Sequence, residues 1–124
     1  MLKELNRSQL LEIASSSPSK KNCSSCSTLN CDGWETIPGS FNLDSLKPLG
    51  TLRIEGAAEC WDEHHPNGSN LWSKDAPISI QFHPYNRSDV YECQECARKY
   101  LRYTEYGGYY IDERIRFLNP KLIT

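Results

Sequence analysis

Two cysteine pairs with the same internal spacing constrain this chain of 124 residues more than any other feature. The first is Cys23-Ser-Ser-Cys26 and the second is Cys93-Gln-Glu-Cys96. Two residues between the cysteines let both sulfur atoms of a pair reach one ion, and four thiolates complete a tetrahedral shell with no open position. The spacing therefore predicts one structural Zn²⁺ bound by all four cysteines.

The distance between the pairs leaves other interpretations of the cysteines open. Residues 27–92, 66 in number, separate the pairs, whereas compact zinc fingers and ribbons have roughly 12–20 residues there. A disulfide or redox function of either pair is one alternative, and inert thiols are another. The sequence contains no apolar stretch of the length of a signal peptide or a membrane span, so we expect a cytoplasmic protein with no membrane partner. Cysteines stay reduced in the cytoplasm, which favours the metal site.

The rest of the chain predicts an α+β fold with one small antiparallel sheet. Apolar residues recur at near-helical spacing over residues 2–14, and the Ser- and Lys-rich segment 15–22 is typical of a flexible linker. We therefore expect residues 1–22 to form an N-terminal helix and linker. Residues 23–124 are expected to form a zinc-stabilised α+β domain.

Within this domain the pattern predicts three strands, a second helix and two irregular segments. The predicted strands are residues 51–54, 78–83 and 109–118, and the predicted irregular segments are residues 36–50 and the polar loop 59–77. Residues 97–106 have apolar side chains at helical spacing, and Gly107-Gly108 would end that helix. A helix directly after the second cysteine pair is the arrangement of treble-clef zinc domains, which this part of the chain resembles. We expect a Cys₄ centre of the treble-clef or zinc-ribbon kind.

The charge distribution favours a basic protein as partner over a nucleic acid. The formal net charge is -2, and residues 23–83 carry three basic residues against eight acidic ones. No segment forms the basic stripe that a phosphate backbone needs. The surface predicted for a protein partner combines acidic and aromatic side chains, namely Trp61, Asp62, Glu63, Trp72, Tyr106 and Tyr109. Most of the tyrosines between residues 91 and 110 are expected to cover the metal core.

The remaining cysteines and the histidines raise the hypothesis of a second metal site. Its candidate ligands are Cys31, Cys60, His64, His65 and His83. The simpler interpretation is that both cysteines are small buried hydrophobes, as unpaired cysteines commonly are. Histidines in a polar loop are, by the same simpler interpretation, exposed.

A metal-dependent nuclease of the His-Asn-His type is the alternative function. The stretch WDEHHPNGSN, residues 61–70, resembles the histidine element of such zinc-braced nucleases, with His64 or His65 as general base and Asp62 orienting it. Their metal-binding histidine after the second pair is missing, because Ala97 and Arg98 stand there. The acidic central segment would also repel DNA. A zinc module that binds nucleic acid is a third hypothesis, and the charge balance disfavours it too.

The last third of the chain resembles a family of small bacterial zinc-binding proteins that has no established activity. The matching stretches are Pro84-Tyr-Asn-Arg87, Cys93-x-x-Cys96 and Leu101-Arg-Tyr-Thr-Glu-Tyr-Gly-Gly-Tyr-Tyr110. Small acidic bacterial proteins of this kind are often immunity proteins that neutralise a toxin domain, so the resemblance implies a basic toxin domain as partner. The sequence as a whole thus predicts a non-catalytic, zinc-stabilised protein-binding module.

Overall fold

A five-stranded antiparallel sheet forms most of the regular structure. The computed structural model describes residues 2–16, 23–29, 31–58 and 60–124. The elements in that part of the chain are the helix α1 (Arg7–Ala14) and the strands β1 (Glu35–Thr36), β2 (Leu46–Thr51), β3 (Asp89–Cys93), β4 (Lys99–Tyr106) and β5 (Ile111–Phe117). The strand order is β1-β5-β4-β3-β2, and every pairing is antiparallel. The predicted antiparallel sheet is confirmed, but α-helix is confined to eight residues of the described chain, so the fold is mostly β.

The N-terminal helix is confirmed but begins five residues later than predicted. Asn6 caps α1: its side chain accepts a hydrogen bond from the Gln9 amide, and the Gln9 side chain accepts one from the Asn6 amide. The residues before it are extended, because Lys3 and Leu5 exchange backbone hydrogen bonds of 2.8 and 2.9 Å with Thr51. Of the predicted linker 15–22, residues 17–22 lie outside the described residues, and the boundary at residue 22 stays a prediction.

The second predicted helix is wrong, because residues 99–106 form strand β4. Apolar residues in this stretch do recur at helical spacing, yet both faces of a central strand are buried, which hides the period of two. Tyr100 faces one side of the sheet, while Leu101 and Tyr103 face the other. Gly107 and Gly108 therefore connect β4 to β5 instead of ending a helix, and a Cβ at Gly107 would meet the ring of Tyr110.

The other strand predictions are confirmed in one case and wrong in two. The predicted strand 109–118 is β5. Residues 78–83 do not form a strand: Ile78 makes a single bridge to Ile123, and the chain then turns, with the Phe82 amide bonding the Ser79 carbonyl at 2.9 Å. Strand β2 ends where a strand was predicted to begin and occupies a segment predicted to be irregular. Pro48 causes that error, since proline is tolerated in an edge strand such as β2.

Two apolar clusters cover the two faces of the sheet. The helix-side core consists of Leu5, Leu10, Ala14, Trp34, Leu52, Ile78, Tyr85, Val90, Leu101, Tyr103, Leu118 and Ile123. The cysteine-side core consists of Cys23, Cys26, Leu29, Cys31, Leu46, Cys93, Cys96, Tyr100 and Ile115. Neighbouring residues on one strand point to opposite faces, which places the cysteine pairs across the sheet from α1.

A buried arginine holds the long segment between β2 and β3 against the sheet. Arg116 on β5 is fully buried and donates hydrogen bonds to the carbonyl groups of Ala76 at 2.8 Å, Asp32 at 3.2 Å and Lys74 at 3.3 Å, and to the hydroxyl of Tyr85. A buried guanidinium is costly unless its donors are bonded. These bonds therefore fix the loops around residues 32 and 74–76 on the helix side.

Candidate metal centre

The structure brings the four predicted ligands together. The ligand atoms of Cys23, Cys26, Cys93 and Cys96 all lie within 4.8 Å of one another. Across the pairs, the Cys23 and Cys93 sulfur atoms are 3.6 Å apart and the Cys26 and Cys96 sulfur atoms are 3.5 Å apart. All six cysteines are free thiols, so these distances do not describe a disulfide. Four convergent sulfur atoms could hold one metal ion.

The second pair lies in the tight connection between β3 and β4. Cys93 is the last residue of β3; its amide bonds the Arg98 carbonyl at 2.9 Å, and its carbonyl accepts from the Ala97 amide at 2.8 Å. Ala97 has φ of 67°, which lets the chain reverse with both sulfur atoms on one side. A strand follows this pair where the treble-clef arrangement has a helix, and the treble-clef form is not confirmed.

The first pair lies in a turn outside the sheet. The Leu29 amide bonds the Cys26 carbonyl at 3.0 Å and closes this turn. Burial of Cys23 opposes ionisation, but the backbone amides of Cys26 and Ser25 hydrogen-bond its sulfur and bring the pKa below its usual value. Amide donors of this kind favour the thiolate, which is the form that binds metal.

A carboxylate connects the two cysteine pairs on the outside of the site. Glu95, inside the second pair, accepts a hydrogen bond from the Ser25 hydroxyl and a longer one of 3.4 Å from the Ser24 hydroxyl, inside the first pair. Gln94 joins the second pair to the turn Leu43–Ser45: its amide bonds the Ser45 carbonyl at 2.9 Å. Residues between the cysteines of each pair thus help to fix the position of one pair relative to the other.

The interior of the site requires a cation if all four sulfur atoms are ionised. The four cysteines are between 1% and 4% exposed. Burial raises the pKa of Cys96 and raises that of Cys26 far above its usual value, and the buried Tyr100 hydroxyl partly opposes the rise at Cys26. Several thiolates packed this closely repel one another and lack solvent, so an ion that neutralises them stabilises the ionised form.

The candidates for a second metal site do not converge within the described chain, where the four-cysteine cluster is the only group of metal-binding side chains. Cys31 is buried beside that cluster, as predicted for a small hydrophobe, and burial raises its pKa to about 12. Cys60 is only half-buried. His64 stacks on Phe82 at 4.8 Å, and His83 lies between the rings of Trp61 and Tyr103.

One of the two histidines proposed as a nuclease base, His65, already has a partner on each ring nitrogen. Nε2 of His65 lies 2.8 Å from a Glu63 carboxylate oxygen, and Nδ1 lies 2.9 Å from the Ser69 hydroxyl. Asp62 was predicted to orient this histidine; Glu63 makes that contact instead, while the Asp62 carbonyl accepts from the His83 amide. These two contacts hold the His65 ring against other residues of the same loop.

The residues predicted for a protein partner lie around β4 and β5 but not on one face: Trp72 is on the helix side, Tyr106 is on the cysteine side and Tyr109 is at the hairpin tip. Trp72 packs under the Arg114 guanidinium of β5 at 4.3 Å, and Tyr106 ends β4. Glu63 acts electrostatically on His83, as does Glu105 of β4, so the loop and the hairpin are neighbours. Tyr109 is fully exposed at the hairpin tip, whereas Tyr100 and Tyr103 are buried.

Sequence reasoning missed Glu95 and Ala97, which support the cysteines through the register of a hairpin that was predicted to be a helix. The place of Tyr100 beside Cys26 follows from the same register. Arg116, on the other face, was missed because it bonds loops distant in sequence. The one available signal was the enrichment of residues 99–106 in tyrosine and threonine, which favour strands.

No significant match was found among protein-family models, curated proteins or solved structures. The resemblance of the last third of the chain to a bacterial zinc-binding family therefore stays a prediction. Within the described residues, no helix combines the length and the apolar character that crossing a bilayer requires.

Proposed function

We propose that this chain is a non-catalytic protein-binding module whose four cysteines hold one structural Zn²⁺ in a zinc-ribbon-like centre. Zinc–sulfur bonds of about 2.3 Å in a tetrahedral shell place the sulfur atoms about 3.8 Å apart. The spacings of 3.6 Å and 3.5 Å support that geometry with little adjustment. A closed shell of four thiolates leaves no position for a substrate, which favours a structural role over catalysis.

The observation that carries the binding proposal is the exposed aromatic tip of the β4–β5 hairpin. Tyr106 is 68% exposed, Tyr109 104%, Tyr110 55% and Ile111 69%. Large apolar side chains gathered on one exposed segment are unusual in a monomer and mark interaction surfaces. Tyrosine is also among the residues that contribute most binding energy at protein interfaces.

The charge around the tip supports a basic partner. Glu105 lies directly opposite Asp112 in the β4–β5 register, and Glu113 follows on β5. Two guanidinium groups are the nearby counter-charges: the mostly buried Arg114 contacts Asp112 at 3.2 Å and Glu105 at 4.0 Å, and Arg102 lies 3.7 Å from Glu113. With three half-buried carboxylates against two guanidinium groups, the charge balance beside the tip is negative. A basic toxin domain, as in an immunity protein, is the partner class that we propose, within the cytoplasm.

The zinc centre and the tip have separate roles in this proposal. They lie at opposite ends of β4, whose eight residues extend about 25 Å. Zinc fixes the β3–β4 connection and thereby the start of the strand, while the partner contacts its far end. The metal is thus expected to affect binding only through the stability of the hairpin.

The test is capture of a basic partner from the native host by the zinc-loaded protein. The double variant Tyr106→Ala, Tyr109→Ala removes exposed rings only, so we expect it to keep its melting temperature and lose the partner. Leu43→Ala is the matched control, since Leu43 is 41% exposed on the turn before β2. Retention of the partner by the double variant, or capture of nothing by the wild type, would count against the proposal.

A further inference from the structure

A cavity on the helix side has the lining of a small-molecule site. It opens between the start of α1, the segment that follows β2, the loop around Cys60 and the turn Tyr85–Arg87. Its volume is about 640 Å³, within the range of roughly 300–1,000 Å³ that is usual for ligand pockets. It shares no lining residue with the four-cysteine site.

Three guanidinium groups give the cavity its charge. Arg7, Arg53 and Arg87 line it, and none of the described residues that line it is acidic. Within the described part of the chain, none of the three forms an ion pair with a carboxylate. In a protein of negative net charge, three such arginines at one cavity indicate an anionic ligand. Guanidinium groups suit phosphate in particular, because they bind its oxygen atoms in pairs.

Two of the arginines are held in place by their neighbours. The Arg87 guanidinium stacks on the ring of Trp61 at 4.2 Å, and Nη2 of Arg53 donates to the Arg87 carbonyl at 3.3 Å. A side chain that is already ordered loses less entropy when it binds a ligand. The cationic end of the cavity is therefore partly organised before binding.

The remaining lining fits an organic group that carries one hydrogen-bond donor. Leu52, Ile54 and Ile80 supply apolar surface. Asn86 donates from Nδ2 to the Cys60 carbonyl at 2.7 Å, but its Oδ1 is buried and has no hydrogen-bond partner among the described residues. A buried acceptor left unpaired costs free energy, and an N–H group of a ligand would satisfy it.

We propose that this cavity binds a small organic phosphate with a planar ring that bears an N–H donor, of which a nucleoside monophosphate is the simplest class. The phosphate pairs with Arg7, Arg53 and Arg87, the ring packs on the apolar wall, and Asn86 accepts from the N–H donor that the ring bears. This assignment does not depend on the metal centre or on a protein partner at the hairpin tip.

Cys60 provides a direct readout of occupancy. It lines the cavity and is half-buried, whereas the other five cysteines are between 1% and 4% exposed. A maleimide should therefore label Cys60 first in the zinc-loaded protein, and Cys60→Ser identifies that signal. A ligand in the cavity should slow the labelling.

The experiment measures maleimide labelling of Cys60 and calorimetric binding with three probes: adenosine monophosphate, adenosine and inorganic phosphate. We expect the monophosphate to slow labelling and to bind more tightly than either fragment. Arg53→Gln and Arg7→Gln, both at exposed positions, should each weaken its binding by roughly tenfold or more. Lys47→Gln, an exposed cation on β2 outside the cavity, should leave it unchanged.

Each contrary result overturns the assignment. If none of the three probes protects Cys60 or binds, the cavity is not a site for this ligand class. Equal affinity for the monophosphate and inorganic phosphate would rule out a contribution of the ring to binding. Wild-type affinity in both arginine variants, with their melting temperatures intact, would show that the phosphate binds elsewhere.

Discussion

Ala97 shows how a single backbone conformation supports the metal centre. With φ of 67° it is the one described residue other than glycine in the left-handed region, and it follows Cys96 directly. A Cβ in that region clashes with the neighbouring carbonyl oxygen, so the position stores strain. The hydrogen bonds around Cys93 hold Ala97 in that conformation, and the tight turn brings both sulfur atoms of the pair close to those of Cys23 and Cys26.

Replacing Ala97 with glycine should stabilise the zinc-loaded protein. Glycine adopts the left-handed conformation without strain, and the expected gain is about 1 kcal/mol in the free energy of unfolding. Urea unfolding followed by circular dichroism measures it. Ala57→Gly is the control at an exposed residue outside the left-handed region, and it should be neutral or slightly destabilising. Loss of stability in Ala97→Gly would contradict the strain argument.

Removing the Tyr100 hydroxyl should weaken metal binding more than it weakens the fold. The hydroxyl is buried, has no conventional hydrogen-bond partner in the described chain, and opposes the burial-raised pKa of Cys26. It is therefore placed to stabilise the Cys26 thiolate. Tyr100→Phe is expected to lower zinc affinity about tenfold, as measured by competition with a chromophoric chelator. Tyr91→Phe, on the same face of the sheet, should keep wild-type affinity; equal values for both variants would remove this role from Tyr100.

At the scale of secondary structure, local spacing predicted some elements and concealed others. The C-x-x-C spacing predicted the ligands because two residues between cysteines restrict the sulfur positions directly. Strand β4 was mistaken for a helix because both of its faces are buried, and β2 was overlooked because an edge strand tolerates Pro48. The cavity near Cys60 could not be predicted, since four segments distant in sequence build it.

The contact between the N-terminal segment and β2 depends on a glycine. A Cβ at Gly50 would lie 2.7 Å from the Leu5 side chain and 2.8 Å from the Lys3 carbonyl oxygen. Gly50→Ala should therefore destabilise the protein by roughly 1–3 kcal/mol, as judged by chemical unfolding. Gly39→Ala is the matched control, because nothing lies within 4 Å of the Cβ that it would add. A neutral Gly50→Ala would mean that residues 3–5 separate from β2 at little cost.

For the molecule as a whole, the sheet separates two cores that are stabilised in different ways. The helix-side core is closed by apolar packing and by the bonds of Arg116, whereas the cysteine-side core has four thiols at its centre. The ion should therefore matter most for the face that contains the cysteine pairs.

Removing the metal should destabilise the fold by several kcal/mol. We expect elemental analysis to find one zinc per chain, and a strong chelator to lower the melting temperature seen by calorimetry. Cys96→Ala should lose the zinc and melt early. Cys31→Ala alters a buried thiol in the same core but outside the ligand set, so it should keep one zinc. A metal-free wild type that melts unchanged would overturn the centre.

The zinc-loaded protein should be more sensitive to acid than the metal-free protein, whereas Cys31 makes both forms sensitive to alkali. Burial raises the pKa of Cys31 from an ordinary value of 9.0 to about 12. A neutral thiol of this kind stabilises the metal-free fold fully below pH 9, and the contribution falls progressively as the pH rises toward about 12. Zinc needs thiolates, so the loaded protein should additionally lose stability as the pH falls and protons displace the metal. Thermal melts across pH, with and without chelator, measure the gap in melting temperature between the two forms, which should narrow toward acid pH; a constant gap would contradict the prediction.

Strand β2 also makes its edge of the sheet a poor site for pairing with a strand from another molecule. Pro48 offers no amide hydrogen along the outer edge, the register shifts between Pro48 and Gly50, and residues 3–5 already cover the end at Thr51. The row of outward-facing backbone amide and carbonyl groups on β2 is therefore interrupted. A strand from another molecule cannot pair along it continuously, which discourages edge-to-edge aggregation. Contacts at this edge are thereby left to side chains, and its backbone groups offer no continuous template for the growth of a fibre.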